Sequence, residues 1–306
     1  MKICSLLPGA TEVVAALGAT GDLVGITHEC DYPPEVRTKP VLVRPTIDAD
    51  RRLSHEIDRE VKAAAAAAEL YALDLPLFAR LQPDLIITQD LCHVCAITPT
   101  QLQRAVATLP APPRILSLNP VGLDDVIADV ERIGEAIGRT DEARAYAGRL
   151  RARVAAVRER AARAARRPRV ACLEWLDPLY VGGHWVPEMV AIAGGLDALA
   201  APGAPSRRVE WEEVLAAAPD VLVLMPCSFT IERTLREVDR VTSRPGWASL
   251  PAVKADRVFV VDSSGYFSRP SPRLVDGVAV LAALLHPDLF GPLPACATRL
   301  GPGPAR

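Results

Sequence analysis

Thr140-Asp141-Glu142-Ala143-Arg144-Ala145-Tyr146-Ala147-Gly148-Arg149-Leu150-Arg151-Ala152-Arg153-Val154-Ala155-Ala156-Val157-Arg158-Glu159-Arg160-Ala161-Ala162-Arg163-Ala164-Ala165-Arg166 is the stretch on which the fold turns. No Gly follows Gly148 and no Pro comes before Pro168, so the spacing predicts one helix over about 141–166. Thr140 or Asp141 suits the N-cap, and Glu142 suits the first turn. Roughly 26 residues at about 1.5 Å each give a rod of roughly 39 Å, enough to cross a domain. It lies close to the midpoint of the 306 residues, where a strut joining two lobes would lie. The arginines of 149–167 alternate with alanines at helical spacing and read as a solvated face.

On either side, short apolar runs alternate with helical patterns. Strands are expected at Ile3–Leu7, Leu23–Thr27, Leu85–Thr88 and Arg114–Leu118 before the strut. After it they are expected at Arg169–Trp175, Val221–Met225 and Arg257–Val261. Helices such as Thr11–Leu17 and Leu123–Gly138 lie between them, which implies parallel sheets with crossover connections. The halves also echo one another. Pro83-Asp84-Leu85-Ile86-Ile87-Thr88 leads to Cys92, and Pro219-Asp220-Val221-Leu222-Val223-Leu224 leads to Cys227. The helix start Thr11-Glu12 ending at Gly18 is matched by Pro187-Glu188 ending at Gly194. The fold class is therefore α/β, two Rossmann-like lobes joined by a single long interdomain helix. The expected division is an N-terminal lobe at 1–138, the linking helix at 139–167, a C-terminal lobe at 168–290 and a loosely held tail at 291–306.

Half of the residues are hydrophobic and 24% are charged, which excludes a disordered chain, and a net charge of −2 gives no sign of a nucleic-acid partner. Met1–Gly9 is too short and too broken by Pro8 for a secretory signal, and no apolar run is long enough for membrane insertion, so a cytoplasmic location is expected. Seven cysteines, an odd number, argue against a disulfide framework.

Open parallel sheets bind ligands beyond the carboxyl ends of their strands. The segments there hold three of the five histidines and four of the seven cysteines. After the second strand come His28, Glu29, Cys30, Asp31 and Tyr32. After the Leu85–Thr88 strand comes Cys92-His93-Val94-Cys95. In the second half come His184 and Trp185 behind a Gly-Gly turn, then Cys227, then Tyr266, Phe267 and Arg269. Two thiolates three residues apart can grip one metal ion. Cys30, Cys92, Cys95 and Cys227 together would suit zinc or an iron–sulfur cluster, with His28 or His93 able to substitute. A redox pair, or half-buried cysteines acting as small apolar groups, are the other readings. His184-Trp185 suits a planar ligand, and Tyr266, Phe267 and Arg269 suit an aromatic and cationic clamp for an anionic group. No GxSxG nucleophile elbow is present, so no catalytic residue is assigned.

Ser5-Leu6-Leu7-Pro8-Gly9-Ala10-Thr11-Glu12, Leu23-Val24-Gly25-Ile26-Thr27-His28, Pro83-Asp84-Leu85-Ile86 and Trp247-Ala248-Ser249-Leu250-Pro251-Ala252-Val253-Lys254-Ala255-Asp256-Arg257-Val258 resemble the cobalamin- and siderophore-binding receptors of ABC importers. The likeness runs from about Lys2 to His286 and is strongest to a cytoplasmic branch of that family. It implies the class III periplasmic-binding-protein architecture, with a ligand held between the lobes. The implied ligand is cobalamin, another corrinoid or a related small-molecule metal chelate. His28, His93 or His184 would supply an axial nitrogen, and Trp185 and Tyr266 would cover the ring faces. A chain without a secretory signal is not expected to serve the membrane permease of such importers. The alternative expectation is a cytoplasmic metalloprotein or enzyme built on the cysteines.

Overall fold

The computed structural model describes residues 1–49, 51–66, 70–89 and 99–301. In chain order the first half runs β1 (Ile3–Ser5), α1 (Pro8–Ala16), β2 (Leu23–Thr27), β3 (Val41–Pro45), α2 (Ser54–Ala66), β4 (Tyr71–Leu73), α3 (Leu75–Leu81), β5 (Leu85–Thr88), α4 (Pro99–Val106), β6 (Arg114–Ser117) and α5 (Leu123–Ile137). The long helix is α6 (Thr140–Ala161). The second half runs β7 (Arg169–Leu176), β8 (Leu179–Val181), α7 (Val186–Ile192), β9 (Leu196–Asp197), β10 (Arg207–Arg208), α8 (Trp211–Ala217), β11 (Val221–Leu224), α9 (Ile231–Leu235), α10 (Asp239–Thr242), α11 (Pro251–Lys254), β12 (Val258–Val261), α12 (Ser263–Tyr266), α13 (Leu274–Leu285), α14 (Pro287–Phe290) and β13 (Ala297–Arg299).

Two sheets result. The first has the order β4-β3-β2-β1-β5-β6, parallel except for β4. The chain builds outward from β1 through β2 and β3, then crosses back to place β5 on β1's other side, with Ile3, Cys4 and Ser5 level with Leu85, Ile86 and Ile87. That reversal makes a topological switch point at the carboxyl end of β1. The second sheet has the order β10-β8-β7-β11-β12-β13, with β9 also paired to β7. Its centre, β7-β11-β12, is parallel. Leu85–Thr88, Val221–Leu224 and Val258–Val261 are buried along their whole length, as strands covered by helices on both faces must be.

α5 and α6 form a tight antiparallel pair. Gly138 ends α5 in the left-handed conformation at φ +72°, where L side chains are strained. Gly134 has no Cβ to meet Ala143, which would stand 2.1 Å from one, so the helices close to backbone contact. α6 then buries Ala143, Ala147, Leu150, Val154 and Ala161. One apolar cluster runs from Ile3 and Val14 in the first half through Ala143, Ala147, Leu150 and Val154 to Val190 and Leu281 in the second.

Two expectations are corrected. The long helix stops at Ala161 rather than near Arg166, so it is 22 residues and about 33 Å long. Ala161 packs against Gly194, and the chain must turn there to reach β7, with Arg167 fastened to the Gly195 carbonyl at 2.8 Å. Neither Thr140 nor Asp141 is its cap, because Arg139 occupies that position without a side-chain bond. The stretch expected as a loose tail adds β13, antiparallel to β12, which buries Ala297. The arginine face of α6 is solvated as expected, with Arg151 paired to Glu131 at 2.6 Å.

Candidate functional site

The carboxyl ends of β1 and β2 turn into segments that meet those leaving β11 and β12. Asp31 accepts from Arg269 Nη1 at 2.6 Å and lies 3.9 Å from Arg273. Glu29 accepts from Ser228 Oγ at 3.4 Å. Glu12 takes both the Nε and Nη2 donors of Arg273, at 3.0 and 2.5 Å. Gly9 lies directly under Pro270, whose carbonyl oxygen would stand 2.0 Å from any Cβ there. Leu123 N donates to Glu188 Oε2 at 2.8 Å. The two lobes are thus joined by ion pairs and hydrogen bonds from the loops after β2, β11 and β12 and from the starts of α1, α5 and α7.

Burial decides the electrostatics. It pushes the Glu12 carboxyl up, with Arg273 pulling it back. Burial lowers His28, while neighbouring Glu29 acts the other way. The His28 ring is half-buried, with Nδ1 3.3 Å from the Val43 carbonyl and Nε2 3.9 Å from Glu29. A neutral ring donating from Nδ1 presents Nε2 as a lone pair, the form a metal can take. Cys227 is exposed at the carboxyl end of β11. Desolvation, then Glu174 and Glu29, push its thiol up to about 12. Beside it, Trp175 and Phe229 pack at 5.3 Å, with the Arg233 guanidinium over Phe229 at 4.2 Å.

The residues singled out from sequence divide into three groups. His28, Glu29, Asp31, Cys227 and Arg269 gather where the lobes meet. Tyr32, 47% exposed, joins them with Arg273 4.4 Å above its ring, and half-buried Tyr266 lies 6.0 Å from the same guanidinium.

Trp185, Phe267, His184 and Cys30 are placed otherwise. Trp185 is only 7% exposed and donates its indole N–H to the Phe267 carbonyl at 2.8 Å, while Phe267 is buried against Gly277. Both rings are core, not cleft wall. β8 runs antiparallel to β7, so the Gly-Gly turn carries His184 back from the carboxyl edge, against Trp185 and the Ala204 carbonyl. Cys30 is turned into the first lobe, 3.0 Å from Thr11 Oγ1 and 3.3 Å from Thr27 Oγ1, and burial raises its thiol. Among the described residues no group of three or more His, Cys, Asp and Glu side chains is placed to hold a metal ion, so the expected joint site of Cys30 and Cys227 is not formed by them. Cys92, His93 and Cys95 lie outside the described residues.

Several residues escaped sequence reading. Arg273, the partner of Glu12, and the pair of Glu237 and Ser54 look like ordinary helix residues. Trp175 was read only as the end of a strand, yet its indole N–H reaches the Ser54 carbonyl at 3.1 Å. A tryptophan at the carboxyl end of a parallel strand was the one signal available.

Known proteins share this architecture. A family profile described as periplasmic binding protein matches residues 3–264. An uncharacterized ABC transporter substrate-binding lipoprotein of Bacillus subtilis is 25% identical over 296 residues, covering 94% of this chain and 81% of that protein. The vitamin B12-binding protein of Vibrio cholerae serotype O1 is 23% identical over 304 residues, covering 93% and 88%. Among solved structures, a periplasmic heme-binding protein of Roseiflexus sp. RS-1 superposes with a TM-score of 0.70 at 25% identity, covering 93% and 97%. The periplasmic vitamin B12-binding protein of Vibrio cholerae does so with 0.68 at 22%, covering 93% and 96%.

Proposed function

This chain belongs to the periplasmic binding protein family, and on that premise we propose that it binds a corrinoid in the cleft between its lobes. The observation that carries the reading is the meeting of the loops after β2, β11 and β12, where Glu29 and Asp31 accept from Ser228 and Arg269 of the other lobe beside His28 and Tyr32. Imidazole, aromatic and cationic side chains brought together between two lobes suit a ring ligand that carries a metal and anionic or amide substituents. His28 offers its neutral Nε2 to the metal's axial position, and Tyr32 and Tyr266 lie beside Arg273 for the ring edge and its anionic or amide substituents. The choice of a corrinoid over haem is supported by curated relatives named for vitamin B12 that match over most of their length. A membrane permease is the partner that the family implies.

The test is spectroscopic titration of the purified chain with aquocobalamin, dicyanocobinamide and hemin in turn. One corrinoid per chain, bound at micromolar concentration or below, is the expected result. Saturable binding of hemin alone, or of none of the three, would overturn the reading.

A further inference from the structure

Between β3 and β4 the chain leaves the first sheet and returns. Thr46 and Leu70 mark the two ends of this arm, with Thr46 N and Oγ1 both donating to the Leu70 carbonyl, at 3.0 and 3.2 Å. The described residues between them include α2 and the turn before it, and that turn is fastened to the other lobe. Ser54 is fully buried, and both its N–H and its hydroxyl donate to Oε2 of Glu237, at 2.7 Å each, across 183 positions of sequence. Trp175 holds the Ser54 carbonyl, and Arg233 donates to the Arg52 carbonyl while pairing with Glu237.

The side chain of Glu237 has no exposed surface. A buried carboxylate is tolerated only while its donors are in place, and two of these come from the opposite lobe. Separation of α2 from the second lobe therefore breaks the contact at once and as a whole. The receptor of this contact also includes Trp175, the last residue but one of β7, at the edge where the ligand loops meet. The ligand face and the arm thus share a wall.

We propose that α2 is a clasp over the cleft: the Ser54–Glu237 contact is released and remade each time a ligand is exchanged. It governs how fast the ligand enters and leaves more than how tightly it is held. The exchange role rests on the cleft reading above, whereas the clasp itself does not depend on which ligand is bound.

The test is hydrogen exchange on the full ligand-free chain, comparing wild type with S54A, E237Q, the double variant and S54T. The Ser54 hydroxyl bonds Glu237 rather than a helix amide, so S54A removes no helix cap. S54A and E237Q should each speed exchange in peptides covering 54–66 by tenfold or more. The double variant should be no faster than the faster single, and S54T should match wild type. Peptides from β5 and β11 should be unchanged. Wild-type exchange in the S54A arm, multiplied effects in the double variant, or acceleration spread equally over both sheets would overturn the clasp. If E237Q does not fold, S54A against S54T decides it alone. With aquocobalamin in stopped flow, S54A should raise association and dissociation rates together by about tenfold while Kd moves less than threefold. A changed Kd at unchanged rates would overturn the exchange role. Failure of wild type to bind any corrinoid would remove the ligand reading and the exchange role with it, leaving the exchange data to decide the clasp.

Discussion

Asp31 and Arg269 stand 238 residues apart in sequence and 2.6 Å apart in the fold. Arg269 is 6% exposed, its Nη2 is held by Ser264 at 2.9 Å, and its Nε has no partner among the described residues. Asp31 is thus the carboxylate that lets a guanidinium be buried at the joint between lobes.

Asp31→Asn should destabilise the chain. Stripping one partner from a buried pair typically costs about 3–5 kcal/mol. The Asp31 side chain is 40% exposed, so solvent screens part of the interaction and about 1–3 kcal/mol is expected. A lower urea midpoint at unchanged m-value is the readout, and an unmoved midpoint would mean that water replaces the carboxylate.

Gly9→Ala puts a methyl group 2.0 Å from the Pro270 carbonyl, and backbone cannot rotate away. The lobes must shift apart there, at a cost of about 1–3 kcal/mol. Corrinoid affinity should fall along with the unfolding midpoint. Wild-type values for both would show that the joint has slack.

Acid should weaken the fold through its histidines. Burial holds His28, His184 and His286 below their ordinary 6.5. Just below pH 6.5 the unfolded chain therefore binds more protons than the folded one, and stability drops as pH falls through that window. The raised carboxyls of Glu12, Asp129 and Asp197 act in the opposite sense, from 4.5 or 3.8 upward. Melting temperatures at pH 7.5 and 6 should differ, lower at pH 6, and His286→Gln should flatten the difference. Equal slopes in the two proteins would remove His286 from the account.

Cys227 should be accessible but slow to react. Its thiol, pushed up to about 12, carries far less thiolate at pH 8 than an ordinary cysteine. Alkylation followed by peptide mass spectrometry should show labelling at least tenfold slower than in the unfolded chain, faster in Glu174→Gln, and blocked by bound corrinoid. Fast labelling that the ligand leaves untouched would place this thiol outside the cleft.

Much of the scaffold could be read from sequence because its central strands carry apolar residues on both faces. Leu23–Thr27 and Leu85–Thr88 match their expected bounds. β3 escaped because Val41–Pro45 carries Arg44 and ends on a proline, so no unbroken apolar run announces it. β8 has only three residues. In the candidate site, Asp31, Tyr32 and Arg269 were singled out by position, since strand ends carry the loops that face the other lobe. Their pairings were not, because a contact across 238 residues leaves no local pattern. Trp185 and Phe267 were misread for a related reason. An aromatic residue in a loop looks the same in sequence whether it faces a ligand or, as here, turns inward to pack.

The shared apolar cluster along α6 has a consequence for how the molecule comes apart. Leu150 and Val154 touch a core that belongs to neither half alone, so a fragment cut free at Arg167 would expose a raw hydrophobic face wherever its counterpart had been. Two similar halves joined by a rod suggest two melting events, but a common interior couples them into one. The repeated architecture should therefore melt as a single cooperative unit, with cleft movement expected from its loops and α2 rather than from bending at the rod.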